Sequence, residues 1–239
     1  MAIDTDALNA SLQRLAGTTA LQASITDALS EVATACVDLF AVAGSGIMMA
    51  DDQNVARYVN ASDAPGRILE TAESETGQGP CTEAFINSVC VASADVTTEE
   101  RWPDLAAIVA PHGIRAVLGV PVRIGGITVG TLDVYRNDRH EWDDGERAAL
   151  LRYSDVVSAT LATALAAHTA GRLASQLQYA LDYRVIIERG IGYLMARDGL
   201  DSVTAFNRLR RTARSTQSKI GEVAQHLIET GELRPPRVE

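Results

Sequence analysis

In "TALQASITDALSEVATACVDLF", Leu21, Ile25, Ala28, Leu29, Val32 and Cys36 recur at three- and four-residue steps, which predicts a helix with a single apolar stripe. A second helical segment, "DALNASLQRLAG", precedes it. Gly44 and Gly46 punctuate the end of this helix, and the period then falls to two: "GIMMADD" and "VARYVNASD" read as short strands around a polar turn. "RILETAESETGQGPCTEAFINS" returns to helical spacing, broken by the loop Gly77-Gln78-Gly79-Pro80, and "VCVASADV" predicts a third strand. The clearest hairpin is "AVLGVPVRIGGITVGTLDVYR". Leu118, Val120, Val122 and Ile124 alternate on one side, and Ile127, Val129 and Tyr135 do so after the turn. Gly125-Gly126 stands where a two-residue loop demands positive φ. Pro121 lacks an N–H for the ladder, so it predicts a sheet edge or a local bulge.

Beyond "EWDDGERAALL" the pattern stays helical for a long way, with no proline before Pro235. Asp143 or Asp144 suits the N-cap, and acids in the first turn complement the helix dipole. Leu150, Val157 and Ala164 are spaced by seven, as are Leu151, Ser158 and Leu165, and Leu161, Leu173 and Leu177 continue the apolar side. Such a helix predicts a parallel homodimer contact joining two modules; a helix packed on its own domain is the alternative. Gly171 and His168 interrupt the rod.

Charge separates the chain into two parts. The net charge of −10 argues against nucleic acid for the whole. From Gln176 to Glu239, however, ten basic residues stand against eight acidic ones, a net of +2, whereas the preceding 175 residues carry −12. Such asymmetry predicts modules with different partners. No apolar run approaches the ~20 residues of a membrane span, and "MAIDTDALNASLQRL" has acids where a signal peptide would be basic, so a cytoplasmic protein is expected. Cys36, Cys81 and Cys90 form no metal-binding spacing, which argues against a structural zinc site.

The segments "GQGPCTEAF", "DVTTEERWPDL", "GIRAVLGVPVRIGG" and "VGTLDVYR" occur in the order found in actinobacterial GAF proteins, in which a Gly-x-Gly-Pro-Cys loop, an Arg-Trp-Pro segment and a strand ending in Tyr recur. The resemblance runs from about Leu21 to Ala167. It implies an antiparallel sheet with helices on one face, the arrangement that this order of elements can bury. From about Tyr183 to Glu229, Arg184, Ile187, Glu188, Gly192, Leu194, Met195, the run Ala205 to Arg210, Lys219, Val223 and Ala224 resemble an ANTAR domain, a small helical RNA-binding module. Where that family carries Ala-Lys-Gly, this chain reads Gly190-Ile191-Gly192. It lacks a basic residue there and gains a glycine that costs a helix ~1 kcal/mol.

Together these imply an α+β protein: an N-terminal GAF-like antiparallel sheet with flanking helices, a long connecting helix and a C-terminal three-helix ANTAR-like bundle. The implied divisions are a helical extension over 1–20, a GAF-like sensor domain over 21–167, a helical connector over 168–182, an ANTAR-like RNA-binding domain over 183–231 and a tail over 232–239. In the bundle, one helix ends near Arg197, one runs from about Ser202 to Thr212 and one from about Ser218 to Thr230. Gly199 suits a C-cap, and Asp201 or Ser202 an N-cap. Val203, Phe206 and Leu209 face inward.

Arg208, Arg210, Arg211, Arg214, Gln217 and Lys219 are the candidate RNA-binding residues, in a stretch from Arg208 to Lys219 with no acid. Arginine's planar fork meets phosphate oxygens and base edges with paired hydrogen bonds, and the N–H groups of a helix start also receive phosphate. The resemblance implies a regulator of transcription antitermination that binds paired hairpins in nascent RNA as a homodimer and makes or breaks no bond. A solvated helix face and a helix-turn-helix reading DNA are alternatives. Glu222 and Glu229 on the last helix weigh against the second.

In the front half, no cofactor is implied. The cyclic-nucleotide pattern and the bilin-attaching Cys-His pair of other GAF proteins are absent, so an unknown small-molecule effector is the open expectation. His112 reads as a helix-end residue. One GAF subset reduces free methionine sulfoxide with cysteines around such a loop. Cys81 at a helix start would have its thiolate favoured by the dipole, so Cys81 and Cys90 are candidate redox residues, against the reading of buried small hydrophobes. The alternative functions are therefore a redox or small-molecule sensor acting through protein contacts and a thiol-dependent methionine sulfoxide reductase.

Overall fold

The computed structural model describes residues 25–51, 56–166 and 171–233. Five strands form one antiparallel sheet: β1 Gly44–Ala50, β2 Ala56–Ala61, β3 Val91–Ser93, β4 Ala116–Ile124 and β5 Ile127–Arg136, in the order β2-β1-β5-β4-β3. Helices α1 Ile25–Phe40, α2 Ala64–Thr76, α3 Pro80–Asn87, α4 Pro103–Val109 and α5 Asp144–Ala166 surround it, and α6 Gly171–Asp198, α7 Ser202–Ser215 and α8 Ile220–Thr230 follow. The predicted helix over "DALNASLQRLAG", the extension over 1–20, His168 and most of the tail lie outside the described residues.

Both faces of the sheet are covered, not one. Leu29, Val32 and Cys36 of α1 and Leu150, Tyr153, Val157 and Leu161 of α5 meet Leu118, Val120, Leu132 and Val134 in one core. On the other face, Leu69 and Ala72 of α2, Ala84 of α3 and Leu105 of α4 pack with Trp102, Val117 and Tyr135. The heptad residues Leu150 and Val157 are thus consumed inside the domain. Capping fixes the start of α5 at Asp143: its Oδ1 accepts from Glu146 N at 2.8 Å, while Glu146 Oε2 accepts from Asp143 N at 2.9 Å.

Gly125 and Gly126 turn the hairpin with φ of 58° and 83°. The pairing shifts beside the turn, where Val122 faces Gly130 and Arg123 faces Thr128, leaving Val129 as an extra residue. This bulge reverses the parity of the rest of β5. Val129 lies in the α1/α5 core, whereas Tyr135 lies in the opposite one. Pro121 sits past the end of β3, whose pairing stops at Val91–Gly119, so its missing N–H leaves no gap in that ladder. Gly44 and Gly46 do not end a helix; they begin β1, and the Tyr135 ring packs where a Cβ on Gly44 would stand.

The C-terminal helices continue the α2/α3 face. Ile187, Ile191 and Leu194 of α6, Phe206 and Leu209 of α7 and Val223, Ala224 and Leu227 of α8 share a core with Met48, Ala50, Cys81, Phe85 and Ile86. As predicted, Gly199 takes φ +68° after α6 and Asp201 caps α7, accepting from Thr204 N at 2.9 Å. A Cβ on Gly190 would stand 2.9 Å from Ala224 Cβ, so the glycine that departs from the family pattern is what lets α6 and α8 approach.

Candidate nucleic-acid interface and the buried acidic cluster

The six residues of the candidate RNA face do not share one environment. Arg211 and Arg214 of α7 and Gln217 of the following turn are exposed. Gln217 takes φ +50°, which turns the chain sharply into α8. Lys219, the N-cap of α8, holds its Nζ 4.4 Å from the centroid of the Tyr179 ring. Arg208 pairs with Asp198 at the end of α6.

Arg210 departs from the expected solvent face. It is buried and donates through Nη2 to the carbonyl of Ser74, near the C-terminus of α2. The reason is the angular position of Arg210 on α7. It follows Leu209 and stands three residues before Ala213, both buried, so it borders the packed side rather than the open one.

Arg210 is one of a set of contacts that dock the bundle on the front domain. Arg184 of α6, almost fully buried, donates through Nη2 to the carbonyls of Phe85 at 2.8 Å and Ile86 at 3.0 Å in the last turn of α3. Its Nε reaches Glu188 Oε1 at 2.9 Å, and burial pulls its ionisation below the usual arginine range. Asn207 Nδ2 donates to Gly77 O at 3.2 Å, and Ser202 Oγ donates to Asn87 Oδ1 at 2.6 Å. Phe85 and Phe206 meet edge to face, with centroids 6.4 Å apart. Both arginines therefore complete helix C-termini, where carbonyls lack intrahelical partners and the dipole favours a cation.

Between the last turns of α2 and the start of α3 lies a group of acids. Gly77 caps α2 with φ +70°, Gly79 leads into α3 with φ +137° and Pro80 occupies its first turn. A Cβ on Gly79 would overlap the Glu73 carboxylate, which instead accepts from Cys81 N at 3.2 Å and Thr82 N at 2.7 Å. The Gly-x-Gly-Pro-Cys motif is thus a seat for Glu73 under the N-terminus of α3. Burial still pushes Glu73 up to about 8 against those two bonds.

Next to it, Glu70 and Asp133 are fully buried and in contact with one another, and burial raises both carboxyls above their ordinary range. A Cβ on Gly46 would overlap Glu70 Oε1 and stand 3.1 Å from Asp133 Oδ2. The sequence carried a signal for this cluster that the motifs overshadowed: an aspartate between Leu132 and Val134 in the middle of a strand.

Cys81 does sit at the start of α3, but its thiol is raised, not lowered. Burial dominates, and Asp133, Glu73 and Glu70 add to it. Cys90 is half-buried, packs against the opposite core and is raised mainly by burial, with Arg147 opposing. Cys81 belongs to the core shared with the C-terminal helices, so the two cysteines serve different faces. His112 is exposed at the end of a short 3-10 turn, as expected of a helix-end residue. Among the described residues, no helix is long and apolar enough to cross a membrane.

Residues 24–161 match the GAF domain family model, and residues 175–228 match that of the ANTAR domain. No curated protein matches the chain. Among solved structures, the free methionine-R-sulfoxide reductase of Neisseria meningitidis, in complex with its substrate, is similar with a TM-score of 0.55 at 15% identity, over 69% of this chain and 95% of that one. The GAF domain of an Acinetobacter phosphoenolpyruvate-protein phosphotransferase gives 0.53 at 17% identity, over 67% and 96%. Its Coxiella burnetii counterpart gives 0.52 at 16%, over 67% and 96%. These likenesses establish the fold of the front domain.

Proposed function

Because the chain belongs to the GAF domain family and carries an ANTAR domain behind it, we propose that it is a cytoplasmic homodimer whose ANTAR domains grip paired hairpins in nascent RNA. A GAF sensor joined to this RNA-binding module is a GAF-regulated antitermination regulator. Binding alone carries that task, and the protein is a regulator rather than an enzyme. The order of the "GQGPCTEAF" and "VGTLDVYR" motifs supports an actinobacterial kinship. The functional divisions are the sensor over 21–167, the connector over 168–182 and the RNA-binding domain over 183–231.

The observation that carries this reading is the solvent exposure of Arg211, Arg214 and Gln217 on one end of the bundle, with Arg208 and Lys219 at its border. Guanidinium groups held there by a packed core can meet phosphates and unstacked loop bases without reorganising the fold. Two copies in a dimer would present two such ends to two hairpins. The dimer contact belongs beyond Leu161, since Leu150, Val157 and Leu161 are used inside the domain.

Regulation follows from the docking contacts. With Arg210 engaged on Ser74 O and Asn207 on Gly77 O, part of α7 faces the GAF domain instead of RNA. A small-molecule or ionic effector that shifts the ends of α2 and α3 would release that side. Equilibrium between docked and released bundles is then the switch.

A salt series of hairpin RNA binding tests the RNA face. An Arg211→Glu/Lys219→Glu double variant should bind at least tenfold more weakly, with a shallower dependence on salt, because each lost phosphate contact removes roughly 0.7–0.9 from the logarithmic slope. Parental affinity and slope in that variant would overturn the assignment.

A further inference from the structure

We propose that Glu70, Cys81 and Asp133 form a binding site for one divalent transition-metal ion, Zn²⁺ or Fe²⁺ in class. This goes beyond the RNA reading and uses only residues of the GAF domain. The three side chains come from α2, α3 and β5, and one ligand atom from each lies within 4.8 Å of the others. Ligands around an ion at about 2.0–2.3 Å stand roughly 3.5 Å apart, so small side-chain shifts close the set.

Four observations point to a cation rather than to a chance meeting of acids. All three residues are fully buried. Among the described residues, the four oxygens of Glu70 and Asp133 face only each other, the Cys81 thiol and the Gly46 N–H near Asp133, and none of these contacts is a well-formed hydrogen bond. The hydroxyl of Thr131, two residues before Asp133 on the same face of β5, is likewise buried without a partner. Gly46 supplies the space in which Glu70 approaches Asp133, since any side chain there would fill it. A pair of buried carboxyls that face mainly each other and a thiol, with no cation beside them, is among the more costly arrangements in a fold. Glu73, with Cys81 N and Thr82 N bound to its carboxylate, fixes the start of α3 and so the position of Cys81.

The donor set selects the ion. Mg²⁺ and Ca²⁺ take oxygen ligands and have no use for sulfur. Two carboxylates and one thiolate suit a borderline ion, and three protein ligands are the number found where a coordination position is left open. On binding, the thiol gives up its proton to solvent, as does any carboxyl that carries one, and the metal's two positive charges offset most of the three negative ones. The ion would sit between the sheet and the two helices that hold Arg210 and Arg184.

The test is a titration of the chelator-treated full-length protein with Co²⁺ alone, followed by Zn²⁺ competition. One equivalent of Co²⁺ should produce a sulfur-to-cobalt charge-transfer band that Zn²⁺ abolishes. Cys81→Ser should remove the band and weaken Co²⁺ binding by more than about tenfold, while Cys90→Ser keeps both. Circular dichroism reports whether each variant is folded, and the parent decides the matter by itself. A folded parent that gives no charge-transfer band, or a band that survives Cys81→Ser, overturns the site. This readout contains no RNA, so its failure is separate from failure of the RNA-binding assignment.

Discussion

Arg184 holds Phe85 twice: its guanidinium donates to the Phe85 carbonyl at 2.8 Å and lies 4.6 Å from the centroid of the same residue's ring. The contact joins the first core helix of the C-terminal bundle to the last turn of α3, 99 residues earlier in the chain. Two carbonyls that would otherwise face an apolar interface are satisfied, and a planar cation is stacked on an aromatic face. Lysine cannot reproduce this geometry, because a point charge does not reach two carbonyls and stack at once. Arg184→Ala and Arg184→Lys should both destabilise the docked form, by about 1–3 kcal/mol for the unsatisfied carbonyls. Hydrogen exchange checks it: amides of α7 and of the loop after α3 should lose protection together. Loss confined to α6 would mean that the bundle and the GAF domain do not open as a unit.

Asn87 gives a cleaner handle on the same equilibrium, since it lies on the GAF side and accepts from Ser202 Oγ at 2.6 Å. Removing one hydrogen bond of about 1 kcal/mol from the docked form shifts the population up to fivefold. Asn87→Ala should therefore raise affinity for hairpin RNA by up to about fivefold without touching any residue of the proposed RNA face. Unchanged or reduced affinity would separate docking from RNA binding.

Which parts of this structure could be read from the chain depends on how local their causes are. The Gly125-Gly126 turn, the Asp201 cap and the Gly199 C-cap each act within a few residues, and each stands where the sequence predicts it. Simple alternation places Tyr135 on the wrong face because one extra residue, Val129, inverts the phase; its mark in the sequence is the shift of apolar positions from Ile127 and Val129 to Leu132 and Val134. Arg210 reads as an exposed cation because nothing nearby competes for it; the Ser74 carbonyl that takes it is 136 residues away. The acidic cluster is non-local in the same way. Glu70 and Cys81 look ordinary within their own helices, and Asp133, though unusual as an acid in mid-strand, does not by itself say which residues it meets.

The pair Asp95–Arg115 sets an acid limit for the GAF domain. Arg115 Nε lies 3.0 Å from both oxygens of Asp95, which also caps the turn at Val96 by accepting from Thr97 N at 3.1 Å. The Arg115 hydrogen bonds hold the carboxyl below its ordinary range, with Thr97 assisting and burial opposing. A carboxyl whose ionisation is lowered on folding contributes stability above its unfolded value, near pH 4, and loses that contribution as pH falls through the folded value. Melting temperature should therefore drop below about pH 4. Asp95→Asn should melt lower than the parent at pH 6 and lose less on acidification. Parallel pH profiles for the two proteins would assign the acid sensitivity elsewhere.

Gly190 and Gly192 lie two residues apart in one helix and predict opposite responses to the same substitution. In an unconstrained helix, Gly→Ala gains up to ~1 kcal/mol from backbone entropy. Around Gly192, outside its own stretch of helix backbone, no atom of the described residues lies within 4 Å of the added methyl, and the residue is exposed, so that gain is realised in full and Gly192→Ala should raise the melting temperature. At Gly190 the methyl would meet Ala224 Cβ at 2.9 Å and Leu209 Cδ1 at 3.4 Å. Separating α6 from α8 to admit it costs about 1–3 kcal/mol in lost packing, which exceeds the propensity gain. Gly190→Ala should thus lower the melting temperature, and adding Ala224→Gly should restore part of the loss by giving back the space. If both single variants were stabilising, the close approach of α6 and α8 would not be what the glycine at 190 provides.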